Sequence, residues 1–537
     1  MAAITTILSG LTASARSAPA TPARPTAWAR PELLAPAKTI VSVVPPIGQV
    51  LDYDLDGIVH VLTCGSVDDG KSTLIGRLLW DAGDVAEDQR ATLRKAALAS
   101  GNADDIDYSL LLDGLLAERE QGITIDIAWR SFDAATLTGR GRRFVVIDSP
   151  GHEQYTRNMA SGASHADVAV MLVDARSGIK PQTRRHAAIL DLVGVGHVVL
   201  AVNKMDLVDN AQARFEAIAA EFLVLCRDFR FRGTSAIPVS AKLGHNVVHR
   251  ARGLSWYNGP TLIEHLGQIP SRQTRADGAF RFPVQSVLRG GQDFRGLAGR
   301  VTSGMARVGN AVRDTLTGRE SRIARIVTMD GDLDAALAGR SVVLQLESDI
   351  DVSRGAVLAL PEAMPTITRQ IEARLVWLGD AASSAVGGLL LRTATDLVPV
   401  ARLDVMDRLD LGTMRAEKAD TCRANDIVTA GIVLSRSAAL DAFEDGAQTG
   451  AFVLVDALTG ATVAGGVVTA LTPHALPSSG KTFKLTHALL AQTVCADLPA
   501  GMPARAEFRR RASEVAFLLS AAGAEVELEE FEDGGGI

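Results

Sequence analysis

Cysteine is scarce and scattered. Cys64, Cys226, Cys422 and Cys495 are the four in 537 residues, and their spacing excludes both a zinc-binding pattern and a disulfide framework. Reduced thiols in a cytoplasmic protein are expected. Positive charge is also in deficit. Lys and Arg number 55 against 62 Asp and Glu, a net charge of −7. Gripping a nucleic-acid backbone takes concentrated Lys and Arg, so no nucleic-acid partner is expected. The longest apolar runs fall well short of the roughly 20 residues that a bilayer-spanning helix needs, so no membrane partner is expected either. Hydrophobic residues, at 47%, are still ample for packed cores, and the length predicts several domains.

What the chain does have is a phosphate-binding pattern, G-x-x-x-x-G-K-S, in Gly65, Ser66, Val67, Asp68, Asp69, Gly70, Lys71 and Ser72, followed by Thr73. The apolar run Ile58–Cys64 before it reads as a buried strand, and Thr73–Leu79 after it as the start of a helix. Glycines let backbone wrap a phosphate closely, and the loop amides with the helix N-terminus face the anion. Lys71 would reach the β and γ phosphates and Ser72 would ligate Mg²⁺. The bland alternative is a chance glycine-rich turn. Cys64, next to the loop, reads as a buried structural thiol rather than an oxidation-sensitive one.

Three more segments fall at predicted strand ends. Asp148, Ser149, Pro150, Gly151 and His152 follow the apolar run Arg143–Ile147. Asp148 would hold Mg²⁺ through water, the Gly151 amide would sense the γ-phosphate, and His152 would orient an attacking water. Asn203, Lys204, Met205 and Asp206 follow Val198–Val202. This is the guanine-reading motif: a carboxylate at Asp206 accepts from guanine N1–H and the 2-amino group, which adenine lacks. Asn203 would hold the loop, and the Lys204 stem would lie on the base. Ser240, Ala241 and Lys242 follow Ala236–Val239 and would complete the base pocket with backbone amides. Between the loop and Asp148 lies Glu118–Asp126, in which Thr124 is the candidate switch residue, binding Mg²⁺ while the γ-phosphate is present. Taken singly, Thr124 could merely start a strand and His152 could be a surface histidine. In this order, the set points to GTP and Mg²⁺, with Lys71, Thr124 and His152 as the catalytic candidates and Ser72, Thr124 and Asp148 as the metal ligands.

This G domain resembles the translation-factor class of GTPases, of which elongation factor Tu is the familiar member. It is similar still more closely to the large, GTPase subunits of bacterial sulfate adenylyltransferase (ATP sulfurylase). Cys64–Leu79 and Asp148–Met159 carry the likeness, which continues in Phe282–Gln285, Asp293–Gly296, Ala324–Val327 and Asp351–Gly355 and fades after about residue 370. Elongation factors typically have V-D-H-G-K-T where this chain has Val67-Asp68-Asp69-Gly70-Lys71-Ser72, and D-Y where it has Gln154-Tyr155. Ser149 stands where the family has Thr. The resemblance implies a GTP-hydrolysing subunit that drives formation of adenosine 5′-phosphosulfate and pyrophosphate from ATP and sulfate. A smaller subunit would bind ATP and sulfate and carry the adenylyl-transfer site. The rival is a translation-type GTPase acting with tRNA or the ribosome, against which stand the acidic balance and the Asp69 and Gln154 variants.

The expected fold is an α/β P-loop GTPase domain, a mostly parallel sheet with helices on both faces, over residues 57–270. Short alternating runs with Gly-rich turns predict a β-barrel over 277–362 and a second β-rich unit over 367–470. The resemblance implies that both are barrels. Residues 1–56 are rich in Ala, Pro and Thr, with Arg16, Arg24 and Arg30 before the first acid, Glu32. They read as a disordered extension or an upstream start wrongly chosen rather than a targeting peptide. In the tail, 471–537, Phe508, Ala512, Val515, Leu518 and Leu519 predict one amphipathic helix. Glu525–Leu528 reads as a strand, and Ala475–Thr482 reads as a loop, not an active second phosphate site.

Overall fold

The computed structural model describes residues 58–99, 106–112, 124, 126–133, 142–270, 278–290, 294–383 and 386–472, with short pieces at 483–485, 507–508, 510–512, 515 and 526–528. The predicted N-terminal extension and most of the tail lie outside the described residues. The tail pieces that are described include helical turns at Phe508 and Ala512, both buried, and a parallel pairing of Phe483–Leu485 with Val526–Leu528.

The first unit is a six-stranded sheet in the order β2-β3-β1-β4-β5-β6. Its strands are β1 (Val59–Gly65), β2 (Ala128–Asp133), β3 (Arg143–Asp148), β4 (Val168–Asp174), β5 (His197–Asn203) and β6 (Gly233–Pro238). All neighbours pair in parallel except the edge strand β2, which is antiparallel to β3. β4 is buried at every residue. That explains its unbroken apolar sequence, since a strand covered on both faces has no solvent side.

Successive residues of a strand face opposite sides, and the two sides have separate cores. Leu62, Ile147, Met171 and Leu200 pack with helices α3 (Thr156–Ala163), α4 (Pro181–Leu192) and α5 (Gln212–Cys226). Val61, Val146, Val170 and Val199 pack with α1 (Lys71–Ala82) and α6 (Leu262–Leu266). The strand order reverses at β1, whose neighbours are β3 and β4. A crevice opens outside the carboxyl ends of the strands at such a point, and the 65–72 loop leaves β1 there. Gly70 and Gly83 bracket α1 with φ of 93° and 85°, a left-handed conformation that costs glycine nothing. The helix that follows Gly83, α2 (Glu87–Ala99), was not anticipated.

Two β units follow. In the first, β7 (Arg281–Gly290), β8 (Phe294–Arg300), β10 (Ala311–Asp314), β11 (Glu320–Thr328), β14 (Ser341–Leu346) and β15 (Val357–Ala359) form a ring that the β10–β11 pairing closes, with the short strands β9 (Met305–Arg307), β12 (Gly331–Leu333) and β13 (Ala335–Leu337) outside it. In the second, β16 (Thr366–Trp377), β17 (Leu389–Arg392), β18 (Leu397–Asp410), β20 (Ile427–Leu440), β21 (Ala451–Asp456) and β22 (Thr462–Thr472) form a ring closed by β17–β18, with the short β19 (Arg415–Lys418) paired to β18 outside it. Closure removes the open edges that would otherwise pair with other chains.

The seams between units are specific. Arg281 donates two hydrogen bonds to Asp441, of 2.8 and 2.9 Å, joining the two rings through a buried pair. Val376, Leu409, Ile427 and Val467 of the second ring belong to the same apolar cluster as α3, α4 and α5. At that seam Asp191, in the last turn of α4, accepts from Arg374 Nη1 at 2.9 Å and from Arg230 Nε at 3.2 Å.

Candidate functional site

Every motif expected to meet the nucleotide, except the switch segment, lies at the carboxyl end of the six-stranded sheet, and hydrogen bonds tie the pieces together. The 65–72 loop folds back on itself. Asp69 Oδ2 accepts from the Ser66 amide at 2.7 Å, and Lys71 Nζ donates to Gly65 O at 3.1 Å and Ser66 O at 2.8 Å. Two glycines are required by close approach. A Cβ on Gly65 (φ +156°) would lie 2.7 Å from Leu172 O, and one on Gly70 would lie 2.4 Å from Asn203 Nδ2.

The guanine-reading segment is fixed to this loop. Asn203 Nδ2 donates to Asp69 O at 2.8 Å, and Asn203 Oδ1 accepts the Ala241 amide at 2.9 Å. Ala241 N–H therefore braces Asn203, whereas the sequence reading had the Ser240–Lys242 amides meeting the base. Lys204 sits in the left-handed region (φ 62°). Its Nζ donates to Asp68 O at 2.5 Å and pairs with Asp174 Oδ2 at 3.1 Å. Burial alone would raise the Asp174 pKa, but hydrogen bonds from Arg176 and Lys204 hold it well below the usual carboxylate range. Lys204 is thus clamped at its tip, with its stem set as a wall. Met205 is wholly buried, and Ser240 Oγ accepts the Leu243 amide at 3.3 Å. Asp206 Oδ1 is shielded from solvent and has no hydrogen-bond partner. A buried oxygen left unpaired costs about 1–3 kcal/mol, so this acceptor is set for a donor from outside the chain.

On the other side, Asp148 ends β3 opposite Thr63 of β1, whose hydroxyl lies 3.4 Å from Asp148 Oδ1. Ser149 Oγ donates to Thr63 O at 2.7 Å. Pro150 and Gly151 are buried in the turn that follows. Gly151 packs so tightly that a Cβ would lie 2.4 Å from Lys71 Nζ and 2.6 Å from Gly65 O. His152 is half-buried, and its Nδ1 accepts the Gln154 amide at 3.3 Å. In the neutral ring that bond places the proton on Nε2. Burial lowers the Lys71 pKa, opposed by the charges of Asp148 and Asp69. The Cys64 thiol is fully buried and pushed up to about 12 by that burial, which makes it inert. Ser72, Thr124, Val67 and Thr73 are all half-buried. Residues 113–123 and 125 around Thr124 are outside the described set, so the switch segment's expected contacts are too. Sequence reading missed Thr63, Asp174, Arg176 and Lys180. Thr63 and Lys180 meet partners distant in sequence, and no short motif marks the Asp174–Arg176 pair.

The residues present suit a guanine nucleotide, because they combine an orphaned carboxylate oxygen with a loop whose glycines admit no Cβ. They suit Mg²⁺ in the manner of phosphate-bound magnesium, through one carboxylate and hydroxyls with the phosphates completing the shell. Among the described residues no group of three or more His, Cys, Asp or Glu side chains forms a metal cage, and no helix is long and apolar enough to cross a membrane.

Residues 56–277 match the family described as "Elongation factor Tu GTP binding domain", and residues 370–469 that described as "GTP-eEF1A C-terminal domain-like". A sulfate adenylyltransferase subunit 1 from Methylorubrum populi is 45% identical over 412 residues, 76% of this chain and 87% of the relative. The chain belongs to the sulfate adenylyltransferase subunit 1 family. A second subunit 1, from Teredinibacter turnerae, is 42% identical over 411 residues, again 76% of this chain and 87% of the relative. The bifunctional enzyme NodQ of Rhizobium sp. (strain N33) is 45% identical over 428 residues, 79% of this chain, and the match spans 66% of that relative's length. A solved structure of sup35 complexed with GMPPNP is matched at 23% identity over 79% of this chain and 97% of that one, with a TM-score of 0.35. As a member of the subunit 1 family, the chain carries an Elongation factor Tu GTP binding domain followed by two closed β-rings.

Proposed function

We propose that this chain is the GTP-hydrolysing subunit of a sulfate adenylyltransferase. It would couple GTP hydrolysis to the formation of adenosine 5′-phosphosulfate and pyrophosphate from ATP and sulfate. The observation that carries the nucleotide reading is the shielded, unpartnered Asp206 Oδ1 beside the braced 65–72 loop. The sulfate reading rests on the relatives' names.

In this reading guanine lies along the Lys204 stem and donates from N1–H and its 2-amino group to Asp206. The amides of 65–72 cradle the phosphates, and Lys71 leaves its carbonyl partners to bind the β and γ oxygens. His152 donates from Nε2–H to the attacking water, holding a lone pair toward the γ-phosphorus. Ser72 and Thr124 would hold Mg²⁺ directly and Asp148 through water, and the ion would supply neutralisation of the phosphate charge. Gly151 backs onto Lys71 closely enough that gain or loss of the γ-phosphate is felt at that turn. Arg157 in α3 donates to Leu378 O of the second ring at 3.0 Å, and Asn425 of that ring donates to Glu153 O at 3.2 Å. The turn beside the γ-phosphate is thereby wired to the second β-ring. The partner in this proposal is a small ATP- and sulfate-binding subunit. We take the units to divide at 57–270, 277–362 and 367–470, and the protein to work in the cytoplasm.

The test is sulfate-dependent pyrophosphate release from ATP by this chain with the small adenylyltransferase subunit of the same genome. GTP should stimulate release, and Lys71→Ala should abolish the stimulation. GTPase activity that responds to ribosomes, with no GTP effect on pyrophosphate release, would move the chain to the translation-type reading.

A further inference from the structure

The phosphate loop contains a negative charge where it is least welcome. Asp69 is 1% exposed, so water does little to screen its carboxylate. Its field is felt at the Lys71 ammonium, the point to which a polyphosphate would be drawn. The neighbouring Asp68 is exposed and better screened. Asp69 cannot be dismissed as incidental, because its Oδ2 holds the Ser66 amide at 2.7 Å and its backbone oxygen receives Asn203. The loop needs this side chain for its shape, and the nucleotide is repelled by its charge.

One cation addresses that conflict. Lys180, from the turn that starts α4, donates from Nζ to Asp69 Oδ1 at 2.9 Å across 111 residues of sequence. We propose that Lys180 is a positioning residue for the nucleotide, a fixed counter-charge that lets Asp69 shape the loop without repelling the phosphates. The inference rests on the reading of 65–72 as the GTP phosphate site and concerns a residue outside every motif of that site. Two consequences distinguish it from a structural strut. Loss of Lys180 weakens nucleotide binding through an uncovered carboxylate, and it weakens GTP more than GDP because GTP brings one more negative charge. Removing the carboxylate's charge in the same molecule then restores binding, although no ion pair is restored.

The experiment is a titration of the full chain with fluorescent N-methylanthraniloyl GTP and GDP. The chains compared are wild type, Lys180→Met, Lys180→Arg and Asp69→Asn with Lys180→Met together. Lys180→Met should weaken GTP by about tenfold or more, equivalent to ~1.4 kcal/mol, and GDP by less. Lys180→Arg, which keeps the charge, should stay near wild type and shows that the position tolerates replacement. The double variant should recover most of the lost affinity. Unchanged GTP affinity in Lys180→Met overturns the proposal, as does a double variant no better than the single one. A wild-type chain that binds neither nucleotide instead defeats the GTP-site reading itself.

Discussion

Two side-chain positions test the site most sharply. Asp206→Asn turns an acceptor pair into one acceptor and one donor. The variant should lose guanine and gain xanthine nucleotides, whose C2 carbonyl accepts from the new amide. Competition between XTP and GTP measures this, and unchanged GTP preference would remove Asp206 from base reading. Gly151→Ala places a methyl where Lys71 Nζ and Gly65 O already stand. Either the ammonium or the turn must shift, and a misplacement near 1 Å can cost on the order of 100-fold in turnover. GDP, which has no γ-phosphate beside that turn, should bind nearly as before. The residues in these tests were legible because each sits in a short pattern at the end of an apolar run. Lys180 was not, since its partner is 111 positions away and a lysine before Pro181 carries no signal of its own. Nor did the sequence reveal that the Ala241 amide is used up by Asn203.

Among the helices, α4 makes a pH prediction. His186 is fully buried within it, its Nδ1 has no hydrogen-bond partner and its Nε2 lies 2.9 Å from Gln182 Nε2. Burial, with help from the charges of Lys71 and Arg185, pushes its pKa down to about 3. An unfolded histidine titrates near 6.5. The unfolded chain therefore binds a proton that the folded chain refuses between those values. The stability is complete above pH ~6.5 and drains away as pH falls toward 3. At pH 5 the loss from this group is about 2 kcal/mol. His186→Gln should flatten the acid side of the urea-unfolding profile by that amount, leaving a residual slope from His265, pushed down to about 4 mainly by burial. Equal slopes in both chains would show that burial of this ring is not what limits acid stability. The strands around α4 were readable because buried parallel strands are unbroken apolar runs. Helix α2 was not. It buries Leu93 and Ala97 and little else, so no apolar stripe announces it. Ring closure was equally invisible, because it depends on long-range pairings, β7 with β15 and β16 with β22, that no local pattern encodes.

For the molecule as a whole, the seam at Asp191 decides how the units behave. Arg374 and Asp191 are 7% and 3% exposed, and burial lowers the arginine's pKa against the pull of Asp191. Removing one partner of a buried pair is typically strongly destabilising. Arg230 remains to share the load, so Arg374→Met should cost roughly 2–3 kcal/mol. Calorimetry should record the loss as a lower melting temperature for the G domain and second ring together. If only the ring transition moved, the two would be independent folding units. The general plan of three units was readable from texture alone, sheet-and-helix repeats giving way to short alternating strands. Their mutual fit was not, because Arg374 and Asp191 are separated by 183 residues.

That shared core also bears on ancestry. Val376, Leu409, Ile427 and Val467 are interior to the second ring's sequence yet pack in the same cluster as the G-domain helices. A crossover that replaced the chain beyond residue 370 with a distant cousin's would keep both β-rings whole and still set foreign side chains against α3, α4 and α5. Recombination of that kind should yield a misfitted hybrid, so the G domain and its second ring are expected to be inherited as one block, with both sides of the seam changing together.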